Sequence, residues 1–171
     1  MEKKKLLGGR SIILPRFPLY APVTNNKKAP DKYIKINNQL IYNSNINRFK
    51  RNNVMTHLHK YVLFNIPKNF KKIEDFPVKI HYIFYVVYNH GSIRKSRLSN
   101  EITHKPPSED YQPNWDDDSL AFIWMKVIRD CIVKRKILPD DNVKYALGSN
   151  YDVKFVKNLN DRKIVVQLKK P

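Results

Sequence analysis

Cysteine occurs once in this chain of 171 residues, at Cys131. A single thiol excludes an internal disulfide and a thiolate zinc site, and its place on the apolar stripe of a predicted helix makes it a small core residue. No apolar stretch reaches the ~18 residues that a membrane-spanning helix needs. The segment from Met1 to Leu7 is basic but lacks the apolar core and small-residue cleavage site of a signal peptide, so the chain is expected to be cytoplasmic. Carboxylates are scarce as well: fifteen Asp and Glu stand against thirty-three Lys and Arg, for a formal net charge of +18. Such an excess draws a protein to a polyanion through counterion release, which makes nucleic acid the leading partner. The basic residues are spread along the chain rather than stacked behind a lipid-facing helix, which argues against a membrane surface.

Eight of the fifteen acidic residues fall between Glu109 and Asp141. Asp116, Asp117 and Asp118 open a run that ends at Asp140 and Asp141. One aspartate suffices to cap a helix and to meet the positive end of its dipole. Three in a row repel one another, and a cation relieves the repulsion, either a basic neighbour or a divalent metal that prefers oxygen ligands. If the chain turns back after Pro139 and enters a strand, both carboxylate groups converge on one pocket, where Mg²⁺ could bind.

Length and a hydrophobic content of 42% suit a single domain, residues 1–171, with a proper core. Residues 11–14 read as a strand, followed by a polar, proline-rich loop. Tyr33 to Ile36 and Gln39 to Tyr42 suggest a small hairpin about Asn37 and Asn38. Ser44 or Asn45 can cap a helix running to about Phe64, with Ile46, Phe49, Val54, Leu58, Tyr61 and Val62 at roughly helical spacing. His57 and His59, two apart, cannot share a helical face; they read as exposed, with His57 near phosphate.

Phe76 to Tyr88 is the clearest strand, rich in β-branched and aromatic residues and alternating in the manner of a central strand. Residues 89–113 form a basic loop with Arg94, Lys95, Arg97, His104 and Lys105, which reads as a flap along a phosphate backbone rather than a bland surface loop. From Ser119 to about Lys136 a helix carries the stripe Leu120, Ile123, Trp124, Val127, Ile128, Cys131 and Ile132, facing a core or a partner chain. Residues 142–156 read as extended, Asn158 to Asp161 as a turn, and Lys163 to Leu168 as a last strand. The expected fold is α+β, a mixed sheet packed against two main helices.

These residues resemble the RusA-type Holliday junction resolvases. That family's signature is Asp-x-Asp-Asn followed by Lys, then Asp-Ala-Leu, and an Asp-Asp pair beyond the helix. Asp116-Asp117-Asp118-Ser119 stands where Asp-x-Asp-Asn belongs, and Asp130 to Asp141 follows the later part without a gap. Ile12 to Asn26, Pro77 to Ile80 and Arg162 to Leu168 are similar to the family's first, middle and final strands. The resemblance implies a homodimeric, Mg²⁺- or Mn²⁺-dependent endodeoxyribonuclease that resolves four-way DNA by paired phosphodiester hydrolysis in recombination and repair. Its catalytic and metal-binding carboxylates fall on Asp116, Asp118 and Asp141, with Lys126 as the catalytic lysine and Asp140 as a neighbour. DNA contacts fall on Arg94, Lys95, Arg97, Lys105 and Lys144. Ser119 replaces the family's Asn, and Lys126 follows Asp118 by eight residues instead of four, about one extra helical turn or ~6 Å. The gap-free spacing from Lys126 to Asp141 favours placing the additional residues in a longer loop before the helix.

A second class fits the bare composition: a non-catalytic basic DNA- or RNA-binding protein whose carboxylates cap a helix and pair with Lys and Arg. Divalent-ion-dependent cleavage of a synthetic junction separates the two.

Overall fold

A computed structural model of the chain describes residues 11–23, 33–36, 40, 46–87 and 117–171. In chain order they form β1 (Ile12–Pro15), β2 (Tyr20–Pro22), β3 (Tyr33–Lys35), α1 (Arg48–Asn65), β4 (Val78–Val87), α2 (Asp117–Lys134), β5 (Ala146–Val156), a 3-10 turn (Leu159–Asp161) and β6 (Lys163–Lys169). This is one α+β unit, as the patterning predicts. The main sheet has four strands in the order β1-β6-β4-β5. Only the β4–β5 pair is parallel, so α2 lies on the crossover that joins them, as a parallel pair requires.

Alternation decides which sheet face is covered. Val78, Ile80, Tyr82, Phe84 and Val86 of β4 and Ile164, Val166 and Leu168 of β6 are buried, as are Ile12 and Leu14 of β1. Period 2 puts all of them on the face that receives the helices. Helix α1 contributes Val54, Leu58 and Val62, spaced by four residues and buried, and packs against α2, β1 and β2. Helix α2 contributes the whole stripe from Leu120 to Ile132, every member between 0% and 7% exposed. The stripe is therefore core and leaves no apolar face for a partner chain. Trp124 is fully buried, meeting Phe17 and Tyr61 edge-on, each at 5.7 Å, so packing is its role. Cys131 is buried in the same layer.

Several local expectations are corrected. The cap of α1 is Asn47, whose side chain accepts from the Phe49 N–H at 2.8 Å, so the helix starts later than Ser44 or Asn45 would place it. Phe49 is 78% exposed and drops out of the stripe. In place of the expected hairpin partner, β3 pairs antiparallel with β2, and Leu40 is helical; the rest of that hairpin, residues 37–39 and 41–42, lies outside the described residues. The polar stretch after β1 thus already contains a strand. His57 and His59 are part-buried rather than exposed; burial, aided by Lys60, lowers the His57 pKa.

Helix α2 begins at Asp117, so Asp117 and Asp118 lie within its first turn and Asp118 is not the cap. The extra residues before Lys126 are consequently helix and not loop, and eight residues at 1.5 Å each separate the two backbones by ~12 Å along the axis. At the other end, Lys136 takes a left-handed φ of 55°. The Lys136 N–H donates to Val133 O at 2.8 Å and the Ile137 N–H to Ile132 O at 3.0 Å, the Schellman arrangement with lysine where glycine is usual. That reversal drives Ile137 and Leu138 into the core and sends the next residues back along α2.

Candidate functional site

Opposite its buried stripe, α2 presents Phe122, Met125, Lys126, Arg129 and Asp130, residues three, four and seven apart that share one side of a helix. They form one wall of a cleft of about 310 Å³, which Asp141 and Ser149 close. The Schellman turn supplies Asp141 and a bulge supplies Ser149. Between Val78 and Ile80 of β4 the partner strand runs from Ala146 to Ser149, one residue longer. Gly148 absorbs the irregularity at φ 113°, a conformation that side-chain-bearing residues rarely adopt. Ser149 thereby turns toward the helix and accepts a hydrogen bond from the Arg129 guanidinium.

Beneath the helix Tyr82 is fully buried, and its hydroxyl donates to Met125 O at 3.3 Å. Burial pushes its pKa up to about 12, against the opposing pull of Arg129. The phenol is a structural donor and stays neutral. Lys126 Nζ lies 3.7 Å from Asp130 Oδ2, and the same carboxylate oxygen is 3.4 Å from His59 Nε2 on α1. His59 Nδ1 sits 2.7 Å from Met55 O and can only donate to it, so Nε2, which faces Asp130, pairs with that carboxylate only when the ring is doubly protonated.

Asp140 and Asp141 behave differently. Asp140 accepts from the Asp141 N–H at 2.7 Å and from Asn142 Nδ2 at 2.8 Å, while Asn142 accepts from the Lys144 N–H at 3.0 Å. Both Asp140 oxygens are engaged in shaping the turn. The Asp141 carboxylate, exposed and on the cleft, makes no hydrogen bond or ion pair among the described residues. It is a hard oxygen donor without a partner among the described residues, suited in type to Mg²⁺.

Of the residues expected from sequence, the structure thus brings Lys126 and Asp141 together. Asp118 is placed by its backbone alone, one turn before Phe122. Asp116, Arg94, Lys95, Arg97 and Lys105 lie outside the described residues, as does the whole of the loop at 89–113. Lys144 is exposed, its Nζ 5.4 Å from the Tyr145 ring. No three His, Cys, Asp or Glu among the described residues cluster as a metal cage, a set that omits Asp116 and the Asp118 side chain.

Sequence reasoning missed Phe122, Arg129, His59 and Ser149. The i, i+4, i+7 spacing of Phe122, Lys126 and Arg129 opposite the apolar stripe was a usable signal; the His59–Asp130 contact and the bulge had none. No family model, curated protein or solved structure matches the chain.

Proposed function

We propose that the protein is a Mg²⁺-dependent endodeoxyribonuclease that cuts branched DNA of the Holliday-junction type, in recombination or repair, as a homodimer with one cleft per protomer. The observation that carries the reading is the convergence of an unpartnered carboxylate, Asp141, with Lys126 and Arg129 in one cleft of a strongly basic protein. Asp116, Asp118 and Asp141 would hold the ion, which when bound supplies an activated water and charge stabilisation at the leaving oxygen. Lys126 neutralises charge developing on the phosphate, and Asp130 holds the lysine in the cleft. Arg129, anchored by Ser149, adds a second positive group to the same wall. Arg94, Lys95, Arg97, Lys105 and Lys144 serve as backbone contacts.

With the α2 stripe consumed by the core, dimerisation must use another surface. The non-catalytic reading has the same basic charge in its favour, and Asp130, paired with Lys126, fits it too; Asp141, without a basic partner among the described residues, fits the metal-dependent reading better. Cleavage of a synthetic four-way junction in Mg²⁺ tests the proposal, with light scattering on the same preparation for a mass of about twice 20.3 kDa. Asp118→Asn is expected to fold and to bind the junction but not to cut it. Parent-rate cleavage by that variant removes Asp118 from the site, and a parent protein inert in every divalent ion refutes the enzymatic reading.

A further inference from the structure

The sheet face away from the helices is uncovered by any described element, and its composition is one-sided. Lys79, Lys154, Lys163 and Lys169 are all the lysines that the four strands carry, and alternation places every one on this face. Asp152 is the one carboxylate of those strands and faces the same way. It is already engaged: His81 Nε2 lies 2.9 Å from Asp152 Oδ2, and Lys169 Nζ lies 2.9 Å from His81 Nδ1. The ammonium group can only donate, so Nδ1 accepts and Nε2 carries the proton toward Asp152.

Tyr85 occupies the centre of the other end. It pairs across β4 with Lys154 on one side and Lys163 on the other, and their ammonium groups lie over its ring, 5.8 and 4.9 Å from the centroid, from which the flexible side chains must swing to phosphate as a base stacks. Neither lysine has a carboxylate partner among the described residues. Beside the trio lie Ile83, buried at 8% exposed, half-buried Val165, and Ile13, 50% exposed.

We propose that this face is a second nucleic-acid-binding site, which takes an unpaired strand by stacking a base on Tyr85 and seating flanking phosphates on Lys154 and Lys163. A planar ring between two unneutralised cations matches the alternation of base and phosphate in a single strand. A duplex hides its base faces from such a platform. A second copy of this chain is a poor occupant, because face-to-face stacking sets these four lysines against the same four with little acid to offset them. The site lies across the sheet from the cleft and its readout is binding, so it stands or falls independently of the nuclease reading.

Anisotropy of a labelled oligothymidylate of roughly 20 nucleotides, in EDTA to prevent cleavage, tests the assignment. Tyr85→Ala should weaken binding roughly tenfold while Tyr85→Phe retains the parent affinity. Lys154→Ala with Lys163→Ala should flatten the slope of log affinity against log salt by about 1.4, since each phosphate contact contributes about 0.7 for single strands. These exposed lysines can be removed without touching the core, so the double variant reports even if a Tyr85 variant misfolds. Parent-like affinity and slope in the double variant overturn the proposal. So does a double variant that binds normally but changes from dimer to monomer, which would make the face a self-association surface.

Discussion

Replacing Asp140 and Asp141 one at a time by alanine should separate the two neighbours by the kind of damage. Asp140→Ala removes two hydrogen bonds, of 2.7 and 2.8 Å, that shape the turn after α2. Each is exposed, so the net contribution is near the lower end of the usual range, about 0.5 to 1 kcal/mol. Together they amount to roughly 1 to 2 kcal/mol. For a chain of this length each kcal/mol lowers the melting midpoint by about 3 °C, giving a drop of roughly 3 to 6 °C. Asp141→Ala removes no bonded partner among the described residues and should stay within about 0.5 kcal/mol of the parent. Activity should rank the other way: Asp141→Ala loses at least about a hundredfold in cleavage rate, and Asp140→Ala retains most of it. Thermal melts and single-turnover junction cleavage, the latter well below both midpoints, read the two effects separately. Parent-like cleavage by Asp141→Ala, with Asp140→Ala stable but inactive, refutes the assignment drawn from the turn.

Two further expectations concern the helix above that turn. Lys126→Ala should slow single-turnover cleavage by roughly two orders of magnitude; an unchanged chemical rate passes the charge-neutralising role to Arg129, one turn further along the same wall. Cys131 and Tyr82 are both held neutral by burial, their pKa values raised from 9.0 and 10.0 to about 12. Their contribution to stability is full below the unfolded values and disappears as pH rises through about 12, so the urea midpoint should decline between pH 9 and 12. A midpoint flat over that window, or rapid labelling of Cys131 by a thiol reagent in the folded protein at pH 8, would contradict it.

The legible parts of the fold were those with long periodic signals. Residues 78–87 are a ten-residue run rich in β-branched and aromatic side chains and form the strand between β5 and β6, and the stripe of α2 spans more than three turns. The strands β2 and β3 have three residues each, too few for alternation to register, and β2 is set in place by its packing against α1. Asn47 displaced Ser44 and Asn45 as the cap because Ile46 packs against the core and fixes where the helix enters. At the site, Asp141 was marked by the order of motifs alone. The distinction between it and Asp140 rests on which carboxylate the turn uses, something composition cannot express. The first turn of α2 was misjudged because a row of aspartates looks like a boundary, whereas the first turn of a helix favours negative charge at several positions.

The residue inserted at Gly148 leaves the two faces of β5 in frame. Upstream, Ala146 shares the helix-facing side with Val78; downstream, Ser149, Tyr151 and Val153 share it with Ile80, Tyr82 and Phe84. Deleting one residue here would leave a regular ladder, Val78 with Ala146 and Ile80 with Ser149, and would keep every later position on its present face. Tyr151 and Val153 would still meet the helices, and Asn150, Asp152 and Lys154 would stay on the opposite side. A single-codon deletion at the bulge is therefore a local event that removes the Gly148 conformation and leaves both faces of residues 149–156 in place.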